Sequence, residues 1–183
     1  MSLIPVPTRE EIPEASHAIY DQLKKTLGGR VPNMFSILSL SPNALDGVRH
    51  LQGSLAKTLN VRTRHLISLA VSQVNGCQYC LSAHTYTSGL SKMTPEEILL
   101  GRQGKAADPK EHAAAAFAKK LVELRGKVPA EDVIGLRSAG YTDAEIIEII
   151  SLCAQFLLTN FINNAIDPDV DFPAVDVELG ATA

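Results

Sequence analysis

Val74-Asn75-Gly76-Cys77-Gln78-Tyr79-Cys80-Leu81-Ser82-Ala83-His84 gathers two of the chain's three cysteines and one of its five histidines into eight positions. Asn75-Gly76 is a turn signal between two apolar-periodic segments. The spacing therefore predicts one helix ending near Val74 and another opening with Cys77 in its first turn. At about 100° per residue, Cys77, Cys80 and His84 fall within roughly 60° of one another on the second helix, while Tyr79 points elsewhere. One face then carries two sulfurs and an imidazole. That set suits dithiol redox chemistry, because thiolate is the reactive form and a helix N-terminus or nearby imidazole lowers a thiol's pKa. A second thiol three residues away can capture a sulfenic acid or mixed disulfide before it over-oxidises. On helix-dipole grounds alone, Cys77, nearer the helix start, is the more reactive sulfur.

Outward from this turn the chain reads as helices. Leu66, Ile67, Leu69, Ala70 and Val71 describe a strongly buried helix from Arg62 to Val74 that feeds directly into the cysteines. Before it, a helix is expected from about Glu14 to Leu27, stopped by Gly28-Gly29. Another follows Ser41-Pro42 and runs to about Lys57, with Ser41 as N-cap and Pro42 at the first helical position. Between them Val31 to Leu38 is short and apolar, a helical turn that either plugs the core or covers a pocket. Beyond the motif, Thr94-Pro95-Glu96-Glu97 and Thr142-Asp143-Ala144-Glu145 have the spacing of capping boxes. Each follows a Gly with an apolar neighbour, Gly89-Leu90 and Gly140-Tyr141, the trace of an internal repeat of helical hairpins. Asp108 to Leu124 is Ala-rich and helical, and Ala130 to Ser138 is a shorter helix ended by Gly140. Ala144 to Asn163 is apolar on nearly all sides, as a central core helix or a subunit-interface helix must be.

No segment offers period-2 alternation bounded by turns, so the chain is expected to be all-α. One helical domain would span residues 14–166, behind a Pro-rich extended arm at 1–13. The tail at 167–183 carries five carboxylates and two prolines. It is expected to be extended and solvated, wrapped on a neighbouring subunit. With 45% hydrophobic and 20% charged residues over 183 positions, the composition is that of a globular chain with a sizeable core. A net charge of -3 without a long Lys/Arg run argues against nucleic acid or an electrostatic membrane anchor, and favours small-molecule chemistry. Met1 to Pro7 lacks a basic region followed by an apolar run, and no eighteen apolar residues are consecutive, so a cytoplasmic location is expected. Three cysteines are too few for a secreted disulfide framework, and in a reducing compartment CxxC points to redox or metal chemistry.

The run Thr63-Arg64-His65-Leu66-Ile67-Ser68-Leu69-Ala70-Val71-Ser72-Gln73-Val74-Asn75-Gly76-Cys77-Gln78-Tyr79-Cys80-Leu81-Ser82-Ala83-His84 resembles the core motif of the AhpD-like alkylhydroperoxidase branch of the carboxymuconolactone decarboxylase family. Ile4 to Pro7 and Val31 to Met34 resemble the N-terminal region of its peroxidase-related members, and Asp143 to Asn164 their last long helix. The resemblance implies an AhpD-like helical bundle assembled as a homo-oligomer, trimer or hexamer. It also implies reduction of organic hydroperoxides or hydrogen peroxide without metal or other cofactor. The resulting disulfide would be re-reduced by a dithiol donor, a lipoylated or thioredoxin-like protein. By the same resemblance Cys80 is the peroxidatic thiol, Cys77 resolves it, and His84 relays protons. Where the family pattern has a glutamate twelve positions before the first cysteine, this chain has His65, which cannot supply a fixed negative charge to His84. Tyr79 takes a place filled by histidine in the best-known members. It can donate a hydrogen bond but is a poor base near neutrality.

Other readings of the same residues are a zinc site built from Cys77, Cys80, His84 and His65, a redox-sensing interaction protein, and a decarboxylase or lactonase on the same fold. The last leaves the dithiol without a chemical purpose. Tyr79 and Tyr86 suit a pocket wall, Cys153 inert packing, and His17, His50 and His112 the surface. Asn160, Asn163 and Asn164 suit the cap of the last helix, with an amide turned into the site as the alternative.

Overall fold

Local capping decides where most of the helices begin. Among residues 2–179, which the computed structural model describes, every regular element is α-helical. Ser41 accepts from the Ala44 N–H at the head of α3 (Pro42–Leu55), with Pro42 in its first turn. Asn60 Oδ1 accepts from the Thr63 N–H at 2.8 Å ahead of α4 (Val61–Val74). Capping boxes start α6 (Pro95–Arg102) at Thr94 and α9 (Asp143–Ile166) at Thr142, and Asp108 caps α7 (Pro109–Glu123). Each satisfies an otherwise orphaned N–H and contributes about 1 kcal/mol. The remaining helices are α1 (Glu14–Thr26), α2 (Asn33–Leu38), α5 (Gln78–Leu90) and α8 (Ala130–Ser138). Gly76, at φ 59°, makes the turn between α4 and α5, a left-handed backbone that a side chain would strain.

α4 is the axis of the fold. Leu66, Ile67, Leu69, Ala70 and Val71 are all fully buried, and the helix packs against α5, α6, α7 and α9. α6 approaches closely at Gly101, where a Cβ would come within 3.0 Å of Leu66 and Leu69 side chains. The main core joins Ile67 and Val71 to Phe117 of α7, Leu136 of α8, and Ile149, Leu152 and Phe156 of α9. A second cluster of Leu23, Val31, Phe35, Leu38, Leu45 and Val48 ties α1, α2 and α3 together.

The either/or posed by the last helix resolves along its faces. By length and composition α9 could cross a membrane, at a mean hydropathy of 1.6. In the fold one face is core, and that face also buries polar Gln155, Thr159, Asn160 and Asn163. Its other face leaves Ile147, Leu158 and Phe161 exposed at 63%, 42% and 57%. The tail is extended, with Asp167, Asp169, Asp176 and Glu178 exposed, and it makes contacts that its sequence did not announce: after α9 it folds back over the start of α5 of its own chain. Asp171, Phe172, Val175 and Val177 all make contacts there or on adjacent α4. Residues 180–183 of that tail, and Met1 of the N-terminal arm, lie outside the described residues.

Candidate active site

Cys77 is the N-cap of α5. Its Sγ accepts from the Cys80 N–H at 3.2 Å, filling the place that Ser or Asp takes at other helix starts. The two cysteines are joined as a disulfide, with Cα atoms 5.3 Å apart. Both are buried, yet differently. Cys80 lines a cavity of about 720 Å³ that also receives His84, His65 and Tyr79, whereas Cys77 lies behind it. Met34, Val170 and Phe172 pack over the cluster of Cys77, Tyr79 and Cys80. Phe35, Tyr86, Leu152 and Phe156 give the cavity an apolar and aromatic wall. The Val31–Leu38 segment thus does both things its sequence allowed: Phe35 and Leu38 enter the core, and Met34 and Phe35 wall the cavity.

The two histidines sit in one electrostatic environment. The His84 ring stands edge-on to Phe156, centroids 5.2 Å apart, and burial together with the neighbouring His65 pulls its pKa down to about 4. His84 is therefore a neutral imidazole at neutral pH in the disulfide form. His65 is likewise lowered, first by burial and then by Arg64, and its Nε2 lies 2.9 Å from Ser91 Oγ. Cys153, the free cysteine, is buried in the core with its thiol pushed up to about 12, in keeping with inert packing. Among the described residues no group of three or more His, Cys, Asp or Glu side chains is arranged to hold a metal ion. In this form the Cys77 and Cys80 sulfurs are bonded to each other and do not form a pair of free thiolate ligands with His84 and His65.

Tyr79 has an anchoring role that its sequence position did not announce. Its hydroxyl donates to Asp171 Oδ1 at 2.7 Å and accepts from the Met34 N–H at 3.2 Å, and burial raises its pKa well above the ordinary tyrosine value. Asp171 also accepts from the Asn33 N–H and pairs with Arg30, each at 3.1 Å, with its own side chain only 5% exposed. This carboxylate fastens the tail across the cysteines and α2. Asp171→Ala is expected to cost about 2 kcal/mol, mostly from stranding the Tyr79 and Asn33 donors, since Arg30 is exposed and contributes little. A shift in the urea midpoint, with faster proteolysis of the tail, is the expected readout; an unchanged midpoint would show that the tail is held by its apolar contacts instead. Asp171 and Phe172 were missed as site residues because their partners lie far upstream, on α5 (Tyr79) and around the start of α2 (Arg30 and Asn33). The available signal was the apolar set Val170, Phe172, Val175 and Val177 interleaved with the tail's carboxylates.

The site is therefore a CxxC at a helix start, opening into a largely apolar cavity of an all-helical bundle. The profile of the carboxymuconolactone decarboxylase family matches residues 42–120, from α3 through most of α7. The uncharacterized protein YdfG of Bacillus subtilis (strain 168) is 24% identical over 111 residues, 59% of this chain and 76% of that protein. A peroxidase-related protein of Ralstonia eutropha JMP134 with an alkylhydroperoxidase AhpD core is similar in structure, with a TM-score of 0.82 and 26% identity over 93% of this chain and 92% of that one. The debrominase Bmp8 in complex with 2,3,4-tribromopyrrole shares the fold, at a TM-score of 0.78 and 19% identity over 93% and 92% of the two chains. Residues 42–120 thus carry the match to the carboxymuconolactone decarboxylase family, on a fold similar to that of the AhpD-core protein.

Proposed function

We propose that this protein is a thiol-dependent peroxidase acting on organic hydroperoxides through a Cys80/Cys77 dithiol–disulfide cycle. The observation that carries this reading is that Cys80, and not Cys77, is the sulfur of the pair facing the cavity that holds His84. The Cys80 thiolate attacks the terminal peroxide oxygen, the O–O bond breaks, and its electron pair leaves on the alkoxide, which takes up a proton to become the alcohol. Cys80 is left as a sulfenic acid. The Cys77 thiolate then attacks the sulfenic sulfur, hydroxide departs and is protonated to water, and the disulfide forms. A dithiol donor, lipoylated or thioredoxin-like, returns two electrons and two protons. As a neutral imidazole, His84 suits hydrogen bonding to the reacting oxygens better than storing a proton. Apolar cavity walls favour organic hydroperoxides over hydrogen peroxide. The exposed apolar face of α9 suits contact with further copies of the chain, and a cytoplasmic setting would keep the dithiol reducible.

The same volume and walls also fit a flat halogenated aromatic, the ligand class seen in the debrominase relative, and the same two electrons would serve to replace halide by hydrogen. One experiment addresses both readings. Reduced, chelator-treated protein is thiol-blocked and weighed intact, before and after one equivalent of an organic hydroperoxide or a bromopyrrole. Loss of two blockable thiols, mapped to Cys77 and Cys80, with hydroperoxide is the expected outcome. Three unchanged thiols with the peroxide would sink the peroxidase reading, and loss only with the bromopyrrole would replace it.

A further inference from the structure

We propose that Asn163 is a catalytic residue of this site: its carboxamide N–H holds the Cys80 sulfur, and its carbonyl oxygen receives the terminal O–H of the hydroperoxide. The proposal rests on the peroxidase reading above. Asn163 lies on α9, is only 3% exposed, and lines the same cavity as Cys80 and His84. Its Nδ2 donates to Cys80 Sγ at 3.2 Å. Its Oδ1 is buried without a hydrogen-bond partner among the described residues. A stranded buried carbonyl costs about 1–3 kcal/mol, so an amide whose role was only structural would be expected to have found a donor. Asn160, three positions earlier on the same helix, has done so. Its Nδ2 donates to Ser72 Oγ at 3.2 Å, and its Oδ1 accepts from Asn75 Nδ2 at 2.9 Å.

The reduced state gives this arrangement its use. A disulfide sulfur is a weak acceptor, whereas a thiolate in a buried site needs a donor or a cation. The surrounding titratable groups are His84, Tyr79 and Tyr86 on α5, His65 on α4 and Asp171 on the tail. His84 and His65 both have lowered pKa values, and Asp171 is engaged by Tyr79, Asn33 and Arg30. Arg64 also lines the cavity, with its guanidinium bonded to the Leu59 carbonyl. The Asn163 N–H is therefore the donor in place for a Cys80 thiolate. The reversed amide would instead set two acceptors against each other. In a primary amide the carbonyl and the N–H cis to it lie along one edge and point the same way. A sulfur on the N–H and a peroxide O–H on the carbonyl are then held side by side at about 3–3.5 Å, the near-attack range for sulfur on the terminal oxygen.

The test uses the reduced full-length chain, Asn163→Ala, and the near-isosteric Asn163→Asp in case the alanine variant folds poorly. Two quantities are measured: the pH midpoint of Cys80 alkylation by iodoacetamide, and the single-turnover rate with tert-butyl hydroperoxide at a pH above every midpoint. Asn163→Ala should raise the midpoint by about one pH unit, and Asn163→Asp by more, since it places a negative charge beside the thiolate. The peroxide rate of Asn163→Ala should fall about 10–100-fold even with Cys80 fully ionised, while its plateau alkylation rate stays within about twofold of the parent. Unmoved midpoints, or a peroxide rate within about twofold of the parent in both variants, would overturn the proposal. A parent protein whose Cys80 alkylates normally but ignores peroxide would defeat the peroxidase reading and the carbonyl's assigned partner together. The alkylation midpoints would still decide the thiolate contact.

Discussion

Cys80→Ser is expected to abolish hydroperoxide consumption, a loss of at least about 10³-fold, because a serine hydroxyl without a strong base is a far weaker nucleophile than a thiolate. Cys77→Ser should behave differently. With Cys80 intact, one equivalent of peroxide is consumed, a sulfenic acid accumulates that a dimedone-type reagent traps, and turnover stops for want of a resolving thiol. The pair is unusually readable because Cys77 caps α5 through its sulfur, and serine is among the best N-cap residues. Its replacement therefore leaves the helix start in place, and lost turnover can be assigned to chemistry rather than unfolding. The helix dipole would favour Cys77 as the reactive sulfur, but access opposes it: Cys77 has no exposed surface, while Cys80 faces the cavity. If Cys77→Ser were inert and Cys80→Ser retained a single turnover, the roles would be reversed and a path to Cys77 beneath Val170 and Phe172 would have to open.

What the sequence discloses here depends on how far apart the interacting residues are. Ser41-Pro42, Thr94 to Glu97 and Thr142 to Glu145 mark helix starts through contacts three residues long, and those starts lie where the sequence places them. The cysteine turn is equally local, with Asn75-Gly76 followed by a helix that begins at Gln78. The tail is different. Its carboxylates and prolines describe a solvated strand in isolation, and only the fold brings Asp171 to the Tyr79 hydroxyl and to the start of α2. Asn163 illustrates the same limit from inside a helix. Near the end of an apolar helix an asparagine reads as a cap. Nothing in its neighbourhood distinguishes it from Asn160 until the partners of each amide, on α4 and α5, are known. His65 lies between these cases. Its offset from Cys77 is visible in sequence, whereas its bond to Ser91 and its depressing effect on His84 need the packing of α4 against α5.

That packing has a thermodynamic consequence for the disulfide form. His84 titrates at about 4 in the folded protein, below the ordinary histidine value of 6.5. Between those two pH values the unfolded chain binds more protons than the folded one, so stability falls as pH is lowered through 6.5 and continues to fall until the folded pKa is reached. The full shift corresponds to about 3 kcal/mol; since His84 borders a cavity, about 2 kcal/mol is the expected loss between pH 7 and pH 4. The carboxylates with lowered pKa values, Glu97 and Glu145 among them, lose their contribution only as pH drops below the ordinary carboxylate value, beneath most of this window. Chemical denaturation of the oxidised protein at pH 7, 6, 5 and 4.5 should therefore give a falling stability. In His84→Gln the slope over that interval should flatten, leaving the smaller part due to His65. An equal slope in the variant would mean that His84 is already solvated in the folded state and that the cavity is wet enough to carry its charge. In that case His84 could hold a proton near neutrality, and its part in the peroxide step would change from hydrogen-bond partner to proton donor.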